Sequence, residues 1–295
     1  MIVATGPVHP VAEEILGPIE VSAEWRTLLP EVEALIVRGD AQVTTEDLAA
    51  APRLRVIGRS GIGVDNVAVD AARGRGIPVV VTPGAGARAV AEGALTLMLA
   101  LVKRLPELDA AVREGRWSAR DELELGDLDG ATLGIVGYGR IGRELADLAR
   151  GLGMRVLAFD PAVDEAATPL DVLFAESDVV SLHAALTDET RGLVNADLLA
   201  RAKPGLVLVN TSRGAVVSSL DDLLGALDSG RLGAVGLDVF EEEPPDTSHA
   251  LFAHPRVLAT PHALGLTSRA RERTFRAMAE GVAAVLRGET PLHVA

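Results

Sequence analysis

The chain of 295 residues contains no cysteine. That excludes disulfides and thiolate metal sites and agrees with a cytoplasmic location. No apolar run approaches the roughly 20 residues that a membrane-spanning helix needs. The opening MIVATGPVHP has neither the basic start nor the apolar core of an export signal, so none is expected. Positive charge is scarce: 28 Lys and Arg stand against 42 Asp and Glu, a formal net charge of −14, and the only lysines are Lys103 and Lys203. So acidic a chain repels nucleic acid and anionic membranes, and neither is expected as a partner. The 6 His show no ligand spacing, so no metal is expected. Low-complexity tracts and short-period repeats are missing too, which excludes a solenoid.

What is present is an alternation of short apolar runs and helical patterns, the mark of parallel sheets covered on both faces. In the first part MIVAT, ALIV, LRVIG and PVVVT read as strands. Helices are expected near Val11–Leu16, Thr45–Ala50 and Val67–Arg75, and a long apolar helix near Arg88–Arg104. From Thr132 the alternation becomes regular, with strands at TLGIVG, RVLAFD, DVVSL, GLVLVN, AVGLD and RVLAT, and helices such as Arg140–Leu152 and Ser219–Ser229 between them. This reads as an open doubly wound sheet. A final helix, about Ser268–Leu286, places Phe275, Met278, Val282 and Leu286 on one face, which is expected to pack back on the first domain.

The segment LGIVGYGRIG holds Gly137-x-Gly139-x-x-Gly142 between a buried strand and a helix. Gly137 permits the tight turn, Gly139 lets backbone approach a pyrophosphate, and Gly142 lets helix meet strand. The helix start then offers free N–H groups and a favourable dipole to phosphate. The next strand ends at Asp160, 18 residues beyond Gly142, where an acid binds the adenosine ribose and repels a 2′-phosphate. NAD is therefore the expected cofactor, not NADP.

In such sheets ligands bind beyond the carboxyl ends of the strands. His183, the trio Thr211, Ser212 and Arg213, then Asp238 and His262 all fall there. Each alone has a plain alternative: Arg213 as a surface-paired charge, His262 as a loop histidine, Asp238 as a turn cap. Together they line one edge beside a dinucleotide loop. The acidic run Glu241-Glu242-Glu243 precedes Pro244-Pro245, and two of its three carboxylates are expected to be merely solvated. A nicotinamide oxidoreductase needs a proton-transferring group, for which imidazole oriented by a carboxylate is suited, and a cation for an anionic substrate, for which Arg supplies a planar fork.

The segments VIGRSGIGVDNV, TLGIVGYGRIGRELA, VLVNTSRGAVV, GLDVFEEEPP and TPHALG resemble the NAD-dependent D-2-hydroxyacid dehydrogenases, and among them the D-3-phosphoglycerate dehydrogenase branch. The resemblance implies a carboxylate-binding Arg213, an acid/base His262 and its partner Glu243. It places nicotinamide contacts on Asp238 and the backbone of Thr211, Ser212 and Arg213, and pyrophosphate contacts on Arg140 and Ile141. His183 and Ala184 join the cofactor-binding set with Gly137, Gly139, Gly142, Asp160 and His262. It also implies an α/β chain of two domains: a Rossmann cofactor domain over 90–266 and a flavodoxin-like substrate domain over 1–89 plus 267–295. Substrate contacts are expected from Arg38, Ser60, Gly61 and Ile62, with backbone N–H groups of Ser60–Gly63 forming a nest for the carboxylate in the cleft. Arg59, Arg88 and Arg120 are further candidate cations for a phosphorylated acid. A dimer arm at about Glu92–Gly130 implies a homodimer.

Departures from the family pattern stand at Ser218, where Asp is frequent, in an extra residue around SSLDDLL, in His183-Ala184-Ala185-Leu186, which lacks the usual Pro, and at Arg88 in a stretch that is usually small or polar. They are expected to touch packing and the adenosine edge more than chemistry. No regulatory C-terminal extension follows the last helix, so feedback through one is not expected. The expected function is interconversion of a small anionic D-2-hydroxy acid and its 2-keto acid, such as 3-phosphoglycerate and phosphohydroxypyruvate. A glyoxylate or hydroxypyruvate reductase and an NAD-sensing, corepressor-like binding protein are the rival readings.

Overall fold

The computed structural model describes residues 1–39 and 41–295. The chain divides into two compact units, Met1–Gly86 with Leu266–Ala295, and Ala87–Gly265.

In the first unit the strands are β1 (Ile2–Ala4), β2 (Glu20–Val21), β3 (Ala34–Val37), β4 (Val56–Arg59) and β5 (Val79–Val80). They form one parallel sheet in the order β2-β1-β3-β4-β5, the flavodoxin-like winding. All four residues of β3 are buried because both faces are covered. Leu35 and Val37 meet Trp25, Leu29 and Leu48, with α2 (Thr45–Ala49) and α3 (Val69–Gly74) on that side. Ala34 and Ile36 meet α1 (Pro10–Leu16) and the chain's last helix, α11 (Ser268–Leu286), through Val11, Phe275, Met278 and Val282. The apolar face of the last helix thus packs on the first sheet. Gly58 permits the close approach, since a Cβ there would lie 2.7 Å from Met278 Sδ.

Two elements of this unit lie outside the strands and helices expected from the sequence. Strand β2 exposes both its residues, and Trp25–Glu31 forms a 3-10 helix around Pro30. Conversely PVVVT supports only the two residues of β5, because Val81 N–H turns to the His293 carbonyl and Thr82 N–H to that of Gly61.

The second unit opens with α4 (Ala87–Val102), α5 (Leu105–Arg113) and α6 (Ala119–Glu122). The helix expected to run to Arg104 stops at Val102, since Arg104 is left-handed (φ 50°) and Pro106 opens the next helix. The strands are β6 (Thr132–Val136), β7 (Arg155–Phe159), β8 (Val179–Leu182), β9 (Leu206–Asn210), β10 (Leu232–Leu237) and β11 (Val257–Ala259). All pair in parallel, in the order β11-β10-β9-β8-β6-β7. The winding reverses at β6, with β7 on one side and β8 on the other, so the switch point lies at its carboxyl end. One face packs on α4 and α7 (Arg140–Gly151) through Leu97, Met98, Leu145 and Ala146. The other packs on α8 (Leu170–Glu176), α9 (Ala196–Ala200) and α10 (Leu220–Asp228) through Phe174, Leu198, Leu223 and Leu227. Among the described residues, no helix is long and apolar enough to cross a membrane.

Candidate active site

The register of the second sheet builds the site. Phe159, Val136, Leu182, Asn210, Leu237 and Ala259 are aligned across the six strands. The residues that follow them, Asp160, Gly137, His183, Thr211, Asp238 and Thr260, therefore share one edge at the carboxyl ends. Parallel pairing places the residues there, although they are far apart in the chain.

At the switch point the three glycines have separate reasons. Gly137 is left-handed (φ 93°), and a Cβ on it would lie 2.4 Å from Ala184 N. A Cβ on Gly142 would lie 2.3 Å from the Gly137 carbonyl oxygen. Nothing lies within 4 Å of a Cβ on Gly139, which caps α7 without any side-chain hydrogen bond to its first turn. The N–H groups that open α7 at Arg140 and Ile141 thus face an open glycine, the arrangement that takes phosphate. Asp160 is half-buried. Its Oδ2 accepts Tyr138 N–H at 2.9 Å and its Oδ1 accepts Ala162 N–H at 3.0 Å. Each oxygen keeps lone-pair capacity for a ribose hydroxyl. Thr211 is buried, and among the described residues its hydroxyl has no partner. Glycine cradle, open helix start and acid together fit a dinucleotide.

His183 differs from the other histidine of the edge. The residue is half-buried with its Nδ1 sealed from solvent, its Nε2 lies 2.8 Å from Ser181 Oγ, and burial pushes its pKa down to about 4. Such an imidazole stays neutral at ordinary pH and is unsuited to deliver a proton. It also gives a testable prediction. A histidine kept neutral in the fold but free to protonate when unfolded contributes stability above its unfolded pKa near 6.5. That contribution is lost as pH falls toward 4, because the unfolded chain then binds the extra proton. We expect a loss of about 2–3 kcal/mol from this group across that window. The slope of denaturant midpoint against pH should flatten in His183→Asn; an unchanged slope would place the acid sensitivity elsewhere.

His262 Nδ1 lies 2.8 Å from Glu243 Oε2 and 3.1 Å from Oε1. The imidazole is half exposed, and among the described residues its Nε2 has no partner. The residue is left-handed (φ 51°), a conformation worth about 1–3 kcal/mol of strain where the surroundings hold it. Asp238 supplies that hold. Buried at 3% exposure, its Oδ1 accepts Thr260 Oγ1 at 2.6 Å and Ala263 N–H at 2.9 Å, and its Oδ2 accepts Leu264 N–H at 3.2 Å. The structure thus commits Asp238 to the turn that carries His262. Glu243 is itself fixed by Phe240 N–H, 3.1 Å from Oε1.

Arg213 sits on a turn folded by Asn210, a residue outside the set expected from sequence. Asn210 is fully buried; its Oδ1 accepts Ser212 N–H and Oγ–H at 3.0 and 2.8 Å, and its Nδ2 donates to the Arg213 carbonyl at 2.8 Å. An Asn ending a buried strand two residues before a polar turn is the available signal. Arg213 Nη1 donates to the Ser212 carbonyl at 2.8 Å. The turn abuts the acidic loop: a Cβ on Gly214 would lie 2.0 Å from Phe240 C and 2.1 Å from Glu241 N. The acidic run resolves into three fates. Glu241 pairs with Arg191 at 2.9 Å, Glu243 with His262, and Glu242 is solvated.

In the first unit Arg38 and Ser60 meet, Nη1 to Oγ at 2.7 Å. Arg38 Nε also donates to the Pro7 carbonyl, and the guanidinium lies 4.8 Å from the Phe275 ring centre. Burial, and then the positive charge of Arg271, hold its pKa below the usual arginine range. The expected backbone nest is reduced, because Gly61 N–H turns inward to the Arg59 carbonyl at 2.9 Å. Ile62 exposes its side chain. Arg59 donates to the carbonyls of Gly63, Val37 and Gly39, which makes it a brace for its own loop. Arg88 does not add free positive charge: it pairs with Glu92 at 2.8 Å and Glu144 at 3.4 Å. Arg120 pairs with Asp121 and stacks on Trp117. Ser218 Oγ lies within hydrogen-bond reach of the Val194 carbonyl and the Asp222 carboxylate, a packing role. Among the described residues no group of three or more His, Cys, Asp or Glu gathers to hold a metal.

Comparisons with known proteins agree on one family. Residues 95–263 match the D-isomer specific 2-hydroxyacid dehydrogenase, NAD binding domain. The chain is 41% identical over 257 residues to a hydroxypyruvate reductase of Thermotoga maritima, covering 85% of this chain and 83% of that one. It is 40% identical over 269 residues to a D-3-phosphoglycerate dehydrogenase of Mycobacterium tuberculosis, covering 88% of this chain and 50% of the other. The chain thus spans about half the length of the phosphoglycerate dehydrogenases it matches. Among solved structures, D-lactate dehydrogenase from Aquifex aeolicus, complexed with NAD and lactic acid, superposes with a TM-score of 0.89 at 29% identity, covering 98% of this chain and 96% of that one.

Proposed function

The chain belongs to the D-isomer specific 2-hydroxyacid dehydrogenases, with the NAD-binding domain of that family, and we propose that it interconverts a D-2-hydroxy acid carrying a second anionic group, such as 3-phosphoglycerate, with its 2-keto acid. The His262–Glu243 pair carries the chemical part of this reading. NAD, when bound, takes or supplies the hydride. His262 Nε2 removes the hydroxyl proton in oxidation and returns it to the carbonyl oxygen in reduction, while the Glu243 carboxylate at Nδ1 steadies the imidazolium. Arg213 holds the substrate carboxylate in a planar fork. Gly137, Gly139, Arg140, Ile141 and Gly142 hold the pyrophosphate, and Asp160 the ribose. Thr211, Ser212 and Asp238 flank the nicotinamide.

The second anionic group is argued from Arg38 and Arg271. Burial, and after it the like charge of Arg271, lower the Arg38 guanidinium pKa, and neither arginine has a carboxylate partner among the described residues, in a chain of net charge −14. Arg271 also stands near the start of α11, the positive end of a helix. Unbalanced cations gathered there are favourable once an anion joins them. Hydroxypyruvate reduction is the second reading, favoured by the Thermotoga relative. Initial rates on phosphohydroxypyruvate, hydroxypyruvate, glyoxylate and pyruvate decide between them. The proposal expects the phosphorylated acid to lead in kcat/KM, and Arg271→Gln to narrow that lead; an equal preference in both proteins contradicts it.

NAD should bind about 10²-fold or more tightly than NADP, because Asp160 loses a ribose contact and faces a 2′-phosphate. Titration of both nucleotides checks this; matching curves would remove Asp160 from that role. We place the protein in the cytoplasm and read it as a homodimer. Leu105, Val112, Trp117 and Leu125 expose 57%, 61%, 65% and 45% of their surface in the α5–α6 region, an apolar patch suited to a second copy.

A further inference from the structure

We propose that Glu165 is a second determinant of cofactor choice, withholding from a 2′-phosphate the guanidinium of Arg143. The inference rests on the assignment of NAD to the second unit. Arg143 lies in the first turns of α7, its guanidinium 5.2 Å from the Tyr138 ring centre. Tyr138 N–H is the group that Asp160 Oδ2 accepts. Asp160 N–H in turn donates to the Ala166 carbonyl at 2.9 Å, which ties the ribose acid to the 3-10 turn Asp164–Ala166. Glu165 projects from that turn, and its Oε1 accepts Arg143 Nη2 at 2.7 Å and Nε at 3.1 Å. Four residues are thus linked in one chain of contacts: Asp160, Tyr138, Arg143 and Glu165. Beside them opens a cavity of about 180 Å³ lined by Asp160, Pro161, Val163, Asp164 and Thr168.

A 2′-phosphate carries two negative charges or nearly so and is bound by a planar guanidinium fork. Arg143 is such a fork, already seated on an aromatic ring. With Glu165 on it the pair is neutral, and Asp160 and Asp164 leave the surroundings negative. As a stabilising ion pair it contributes little, since its side chains are 47% and 63% exposed. Its effect is on selectivity: discrimination needs a repulsive or charge-cancelling element as well as an attractive one. Asp160 alone is therefore not the whole filter, and removing it alone leaves the Arg143 guanidinium paired with Glu165.

The test is equilibrium binding of NADH and NADPH, by calorimetry, to the parent, Asp160→Asn, Glu165→Gln, the double variant and the double variant with Arg143→Gln. Asp160→Asn keeps an acceptor for Tyr138 N–H. It should tighten NADPH binding about 10-fold, and adding Glu165→Gln should tighten it about 10-fold more, the worth of one charge-assisted hydrogen bond. Arg143→Gln should abolish the second gain, and rising salt should shrink it. Glu165→Gln should leave NADH affinity within about 3-fold of the parent. If Glu165→Gln adds nothing in the Asp160→Asn background, or if its gain survives Arg143→Gln, this inference is overturned while NAD specificity stands. A parent that binds neither nucleotide, or prefers NADPH, overturns the NAD assignment and this inference with it.

Discussion

His262→Ala should lower turnover by about 10²–10⁴-fold in both directions, the usual worth of general acid–base help, while NADH affinity changes little. The reason is the geometry at the sheet edge. Of its two edge histidines, His183 is sealed against Ser181 and kept neutral, whereas His262 is half exposed with a carboxylate at Nδ1 and an available Nε2. Reduction needs the imidazolium and oxidation the neutral ring, so raising the pH should favour oxidation over reduction. The Glu243 carboxylate holds the ring from Nδ1 at 2.8 Å and leaves Nε2 toward the substrate side. Glu243→Gln removes the charge and keeps a hydrogen-bonding side chain, so turnover should fall in both directions with NADH affinity nearly unchanged. Parent-like turnover in Glu243→Gln would exclude it as the partner and direct the test to Glu242.

Arg213→Lys should lower kcat/KM by about 10- to 100-fold at least, with nucleotide affinity nearly intact. Lysine keeps the charge but cannot offer two parallel N–H donors to a carboxylate. The turn should survive the change, because Asn210 builds it through backbone groups and Ser212. The neighbouring Gly214 offers a contrast. Its Cα packs against the Phe240–Glu241 backbone, so Gly214→Ala must displace the acidic loop and with it Glu243. Kinetics of Arg213→Lys check the first statement; near-parent kcat/KM would place the substrate carboxylate on another group.

Much of this site was legible before any fold was known, for a physical reason. Parallel strands buried on both faces read as unbroken apolar runs, and such a run stops where the chain leaves the sheet. The polar residue after each stop is then a candidate for one common edge, and the register bears this out for Gly137, Asp160, His183, Thr211 and Asp238. The last helix was legible because Phe275, Met278 and Val282 recur at helical spacing. Features that depend on contacts between distant side chains were not. That Arg88 is also paired with Glu144, or that Arg59 reaches the Val37 and Gly39 carbonyls, follows from three-dimensional proximity alone; the pairing of Arg88 with Glu92 is ordinary i,i+4 helix spacing. The neutral state of His183 is also a matter of the fold, since packing around the ring, and not the neighbouring Ser181, takes it out of water. Strand β2 escaped because its two residues are both exposed, and the 3-10 helix because its apolar residues Trp25 and Leu29 span little more than one turn before Pro30.

The most direct test of the central claim is hydride transfer itself: NADH consumption with phosphohydroxypyruvate, followed by chiral analysis of the hydroxy acid formed. The account predicts stoichiometric oxidation of NADH, a product of D configuration, and loss of both in His262→Ala. NADH that binds tightly yet is not oxidised by any 2-keto acid of the panel would contradict it, and would mark the protein as a cofactor-sensing relative of the dehydrogenases.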